Sequence, residues 1–122
     1  MIYTSYFANW RKLKQAGIQI VSIARINPNS DIQETLMELA PSVNLLMGAK
    51  KGIIKWDRYV EKYNKQLAQI DLLSILQKLE KLQEKYGNIA LCCYEKSNEN
   101  CHRRLLAEFL NQNLNLKIEE YQ

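Results

Sequence analysis

The densest reactive stretch of the chain is Cys93-Tyr94-Glu95, then five residues, then Cys101-His102-Arg103. It contains the only histidine and two of the three cysteines. A cysteine at the first turn of a helix has its thiol pKa lowered by unpaired N–H groups and the helix dipole. His102 and Arg103, next to Cys101, would add to that effect. Glu95 has the chemistry of a general acid or base. Arg103, and Arg25 farther up the chain, offer planar forks of donors that suit phosphate or carboxylate. A helix N-terminus is itself an anion site. Such a set would act on a small anionic or nucleotide-like ligand, provided the fold brings its members together.

The elements that must do so are legible. Ile2 to Phe7 and Ile18 to Ala24 read as strands, the second with so little polar alternation that burial on both faces is expected. Between them Ala8 to Gln15 fits a short helix with Trp10 and Leu13 inward. Ser30 and Gln33 resemble a capping box opening a helix that runs to Leu39. Residues 41–54 give no regular pattern. Trp56, Tyr59, Val60, Tyr63, Leu67 and Ile70 lie at helical spacing. Asp71 then caps a second helix carrying Leu72, Ile75, Leu76, Leu79, Leu82 and Tyr86, which Gly87 ends. Asn88 to Tyr94 is a third strand, a helix starts near Cys101, and Leu116 to Tyr121 alternates like a last strand. This alternation predicts an α/β fold: a small single-domain three-layer sandwich over residues 1–122, with a mainly parallel sheet of about four strands flanked by helices. Ligands of such sheets bind beyond the carboxyl ends of the strands, which selects Arg25, Glu95 and the start of the last helix.

Composition narrows the classes. The 122 residues, 47% hydrophobic and 25% charged, suffice for one domain and one core. A net charge of +4, from 17 basic and 13 acidic side chains, is mild and interleaved, whereas nucleic-acid proteins more often show a dense basic stripe. Nucleic acid is a possible partner and not the favoured one. No leader pattern or apolar run of about 20 residues is present, so a cytoplasmic protein that avoids the membrane is expected. Three cysteines cannot build a disulfide framework.

The motif has a family likeness. Cys-x-Glu, five residues, Cys-His-Arg after an apolar strand resembles the domain-of-unknown-function family numbered 488. Thr4-Ser5-Tyr6-Phe7-Ala8-Asn9 and Ser22-Ile23-Ala24-Arg25 are similar to that family's first two strands. Pro41-Ser42 with Leu45-Leu46, and Gly52-Ile53-Ile54-Lys55-Trp56 leading into Tyr59 and Tyr63, are similar to its middle. Many members have Asp-Val-Arg at the end of the second strand; here Ile23-Ala24-Arg25 keeps the arginine and lacks the acid. The resemblance implies a small α/β domain with a polar site and supplies no reaction.

Ordinary readings compete at every position. Cys92 and Cys93 point to opposite faces of a strand and fit a core as small apolar residues. His102 fits a surface first turn, Arg25 a structural ion pair, and Glu95 a latch to Arg103 or to the helix start. Trp56, Tyr59 and Tyr63 fit core better than a stacking platform. Cys93, Cys101, His102 and Glu95 are acceptable zinc donors, but adjacent residues such as Cys101 and His102 rarely converge on one ion and no Cys-x-x-Cys pair exists, so neither a metal nor a cofactor is expected. There is no glycine-rich nucleotide fingerprint, P-loop or phosphatase-type loop. The sharper reading assigns Glu95, Cys101 and His102 to catalysis, with Cys101 as nucleophile or polar contact. It assigns Arg25, Arg103, Ser5 and Cys93 to ligand binding. Its alternatives are a non-catalytic binding module and a structural latch whose function lies in protein–protein contacts.

Overall fold

A computed structural model of the chain describes residues 1–97 and 100–122. Strand β1 (Ile2–Tyr6) leads through a 3₁₀ turn (Phe7–Asn9) into helix α1 (Trp10–Gln15) and strand β2 (Ile18–Ser22). After a long connection come α2 (Val43–Lys50), α3 (Trp56–Leu67), α4 (Leu72–Tyr86), β3 (Asn88–Cys93), α5 (His102–Leu114) and the short β4 (Glu119–Glu120). The four strands form one all-parallel sheet in the order β2-β3-β1-β4. The fold is therefore α/β, as the alternation of elements predicts.

Two cores sandwich the sheet. One joins Val21, Ile23, Leu91 and Cys93 to Tyr59, Tyr63 and Leu67 of α3, Ile75 and Leu79 of α4, and Leu105, Leu106 and Leu110 of α5. The other joins Ile18, Ala90 and Cys92 to Phe7 and Leu13 on the α1 side. Strand β3 is buried from Ile89 to Cys93, as a central parallel strand must be. Its neighbours keep register with it: Val21 and Thr4 flank Leu91, and Ser22 and Ser5 flank Cys92. The caps read from sequence are present. The Asp71 carboxylate accepts from the Ser74 N–H at 3.1 Å, and Gly87 ends α4 with φ +81°, a conformation few side chains tolerate. No helix among the described residues is long and apolar enough to cross a membrane.

Three local expectations are corrected. β2 is an edge strand with Gln19 and Ile20 only half-buried, because β3 and not β2 takes the centre. Residues 33–36 are not helical. The Ser22 N–H donates to the Glu34 carbonyl and the Leu36 N–H to the Ser22 carbonyl, so sheet pairing takes the backbone groups a helix would need, and only the 3₁₀ turn Met37–Leu39 follows. Trp10 points outward, 47% exposed, with the Arg11 guanidinium over its ring; within α1, Leu13 is the residue buried in that core. Residues 43–50, which carry no regular pattern in the sequence, form α2. The Ser42 hydroxyl caps it by accepting from the Leu45 N–H at 3.2 Å.

Candidate functional site

The carboxyl end of β3 meets the start of α5 beside the segment that leaves β2. A cavity of about 570 Å³ opens there, lined by Arg25, Cys93, Glu95, Cys101 and His102 among others. This is within the range of small-molecule sites. A larger cavity of about 870 Å³ runs along α1 and β2, but its lining has no thiol or histidine and its charged residues are only Lys14 and Asp31. The thiols and the histidine therefore face the smaller one.

At its floor are two sulfurs. Cys93 ends β3 and Cys101 is the N-cap residue of α5, and their Sγ atoms are 2.6 Å apart. Arg103, the second residue of α5, is fully buried. Its Nη1 donates to Cys93 Sγ at 3.1 Å and to Cys101 Sγ at 3.6 Å. It also donates to the carbonyls of Glu95 and Lys96. Nε and Nη2 grip the Glu120 carboxylate at 3.0 and 2.8 Å. Burial opposes the charge on Arg103, but the Glu120 and Cys93 contacts outweigh it and hold its pKa above the ordinary value. Every nitrogen of this guanidinium is used internally, so Arg103 does not grip a ligand. It holds the β3–α5 crossover closed and places a permanent positive charge under the sulfurs.

That charge helps to sort the two thiols. The hydrogen bond shared with Cys101, and the hydrogen bond and field of Arg103, lower the Cys93 pKa against the opposition of burial. Cys101 moves the other way, raised by giving its proton to that bond and by burial. Cys93 is thus the thiol favoured for ionisation, the reverse of the expectation that the helix-start cysteine would be activated. The first reason is the hydrogen bond between the two sulfurs; the guanidinium, which lies closer to Cys93, adds to it, and the Cys101 side chain makes no capping bond to α5.

His102 is buried, not a surface first-turn residue. Its Nε2 lies 2.8 Å from the Ile23 carbonyl. A carbonyl only accepts, so Nε2 carries the proton and Nδ1 is left bare, 4.0 Å from Cys101 Sγ. Burial lowers the His102 pKa to about 4, and the ring is neutral at physiological pH. Cys93, Cys101 and His102 have donor atoms within 4.8 Å of one another, so the adjacent Cys101 and His102 do converge. Two thiolates on one zinc would sit about 3.7 Å apart, given Zn–S bonds of about 2.3 Å. The observed sulfur pair is closer than that, and the Arg103 guanidinium already donates to Cys93.

The other predicted residues divide. Arg25 lines the cavity, with Nε and Nη2 donating to the Pro41 carbonyl at 3.2 and 3.0 Å. The Glu95 side chain is exposed at the rim; only its carbonyl, not its carboxylate, meets Arg103. Ser5 does not line the cavity. It is fully buried on the Cys92 side of the sheet, donating to the Tyr121 carbonyl at 2.8 Å and accepting from Asn9 Nδ2. Cys92 is core, its thiol pKa raised by burial.

A DUF488-N3a family model, described as the active DUF488-N3 subclade, matches residues 5–114. The chain belongs to the DUF488 family. No curated protein and no solved structure matches it. The motif that carries the family resemblance is the one whose ends close over the sulfurs in this DUF488 chain. Three participants escape a reading of the motif. Glu120 lies 17 residues beyond Arg103, in a segment whose alternation marks only a strand. Trp56 and Tyr59 stack with ring centroids 5.2 Å apart and line the cavity. Tyr63, one turn on, is core, its hydroxyl donating to the Leu39 carbonyl at 2.6 Å. The available signal was position: Trp56 opens α3, where a helix begins to leave its core.

Proposed function

We propose that this domain is an enzyme acting on a small anionic or nucleotide-like ligand, with the Cys93 sulfur as nucleophile. The observation that carries the reading is the Arg103 guanidinium 3.1 Å from a sulfur that lines a small-molecule cavity. A thiolate is the reactive form of cysteine, and a neighbouring cation maintains it near neutral pH. The cavity lining supplies matching recognition. Arg25 and Lys50 provide positive charge for an anionic group, and the stacked Trp56–Tyr59 pair provides a flat apolar wall for a ring. Glu95 at the rim serves as proton donor or acceptor for the group leaving the attacked centre. Cys101 donates its S–H to Cys93, and the bare Nδ1 of neutral His102 stands ready for the Cys101 proton. The description of the matching subclade as active agrees with catalysis. Reduced thiols at the centre suit a reducing compartment, and a cytoplasmic location forms part of the proposal.

The test is a nucleotide and metabolite panel read for thermal shift and, by mass spectrometry, for turnover. Wild type is expected to convert a panel member, and Cys93→Ser to bind it without converting it. Binding with no conversion by wild type would make the domain a sequestering or sensing module. A folded wild type that neither binds nor converts any member would overturn the reading. Nucleic acid, the less favoured partner, would show itself by binding that collapses steeply as salt rises.

A further inference from the structure

We propose that Cys93 and Cys101 are a peroxide-reactive dithiol that closes into an intramolecular disulfide. Four features of the structure support this. The sulfurs, 2.6 Å apart, belong to two elements packed against each other, and a covalent S–S bond of about 2.05 Å needs only a small further approach. Both cysteines line the cavity, so a hydroperoxide reaches them although each is only 2% exposed. Arg103 Nη1 donates to both sulfurs, which favours the attacking anion. Finally, the bare His102 Nδ1 lies 4.0 Å from Cys101 Sγ and not beside Cys93, where the second step needs a base.

The chemistry balances with a hydroperoxide as the two-electron oxidant. The Cys93 thiolate attacks one peroxide oxygen and the O–O bond breaks. The alcohol, or water when the oxidant is hydrogen peroxide, leaves with the proton that Cys93 lost on ionising. Cys93 is now a sulfenic acid. The Cys101 sulfur attacks the Cys93 sulfur and the S–O bond breaks. The Cys101 proton, taken by His102 Nδ1, goes to the departing hydroxide and makes water. Two thiols and one hydroperoxide become one disulfide, one alcohol and one water.

Cys92 is an internal control. It is adjacent in sequence to Cys93 but on the opposite face of the sheet, fully buried and outside the cavity lining, with its thiol turned to the Ala90 carbonyl. The bond itself is independent of the enzymatic reading. One consequence does rest on that reading: closing the disulfide consumes the Cys93 nucleophile and switches the site off until a thiol reductant restores it.

The experiment titrates the reduced full-length protein with hydrogen peroxide, blocks remaining thiols by alkylation and maps the peptides. Wild type is expected to lose two hydrogens and join Cys93 to Cys101, with Cys92 still alkylated and the change reversed by dithiothreitol. Cys101→Ser should instead accumulate a Cys93 sulfenic acid that dimedone traps. Oxidation of Cys93 to the sulfinic level with Cys101 still free, equal reaction of Cys92, or disulfides only between chains would each overturn the proposal. Should Cys101→Ser fail to fold, the wild-type peptide map decides alone. Turnover without disulfide formation would defeat this inference and spare the enzymatic one. The bond in a protein that turns over nothing would do the opposite.

Discussion

Arg103 and Glu120 form a bidentate pair, with Nε and Nη2 of the guanidinium donating at 3.0 and 2.8 Å to the two carboxylate oxygens. Arg103 is fully buried and the Glu120 side chain is 15% exposed. The pair ties β4 to the start of α5, and Tyr6 lies against the same guanidinium. Removing one partner strands a charge. Arg103→Met should therefore cost about 3 kcal/mol or more of stability. Glu95→Ala, which deletes an exposed carboxylate and leaves the carbonyl that Arg103 uses, should stay within about 0.5 kcal/mol. Urea melts of the two variants check this, and equal losses would return Glu95 to the role of latch.

Cys93 should titrate below an ordinary thiol. Its rate of alkylation by iodoacetamide, followed against pH by peptide mapping, should have a midpoint below that of an ordinary thiol. The first cause of the lowered value is the Cys101 hydrogen bond, so Cys101→Ala should move that midpoint upward. An unmoved midpoint would leave Arg103 and the Glu95 backbone as its causes.

His102 makes stability depend on pH. Its folded pKa, about 4, lies below the ordinary value of 6.5 because burial disfavours the charged ring. The unfolded chain therefore binds this proton more readily. The contribution is fully present above about pH 6.5 and is lost progressively as the pH falls to about 4, in total on the order of 3 kcal/mol. His102→Gln, which keeps a donor for the Ile23 carbonyl, should flatten this part of the profile. Thermal melts of both proteins across that window measure the difference.

Ser5 should prove structural. Ser5→Ala removes a donor to the Tyr121 carbonyl and an acceptor for Asn9, at a cost of about 1 kcal/mol. Peroxide reactivity of the Cys93–Cys101 pair should be unchanged, since the side chain lies across the sheet from it. A faster or slower peptide-map time course in this variant would show coupling through β1.

Much of this molecule is local physics and so can be read from the chain. The all-apolar run from Ile89 to Cys93 can only be a buried strand, Asp71 and Gly87 punctuate α4, and the meeting of a strand end with a helix start marks Cys93, Glu95, Cys101 and His102 as neighbours. The resemblance to the DUF488 family rests on those same residues. What tertiary structure alone decided is which groups share a proton or a charge. Which of Cys93 and Cys101 ionises first depends on the hydrogen bond between their sulfurs and on where Arg103 is placed. Whether Arg103 meets a ligand or Glu120 depends on a strand that docks 17 residues later. The Trp10 side chain faces outward, and Leu13 is the residue of α1 buried in the core. Periodicity reports which side of an element is apolar. Electrostatics falls off with distance through the folded interior, and those distances exist only once β3, α5 and β4 are packed together.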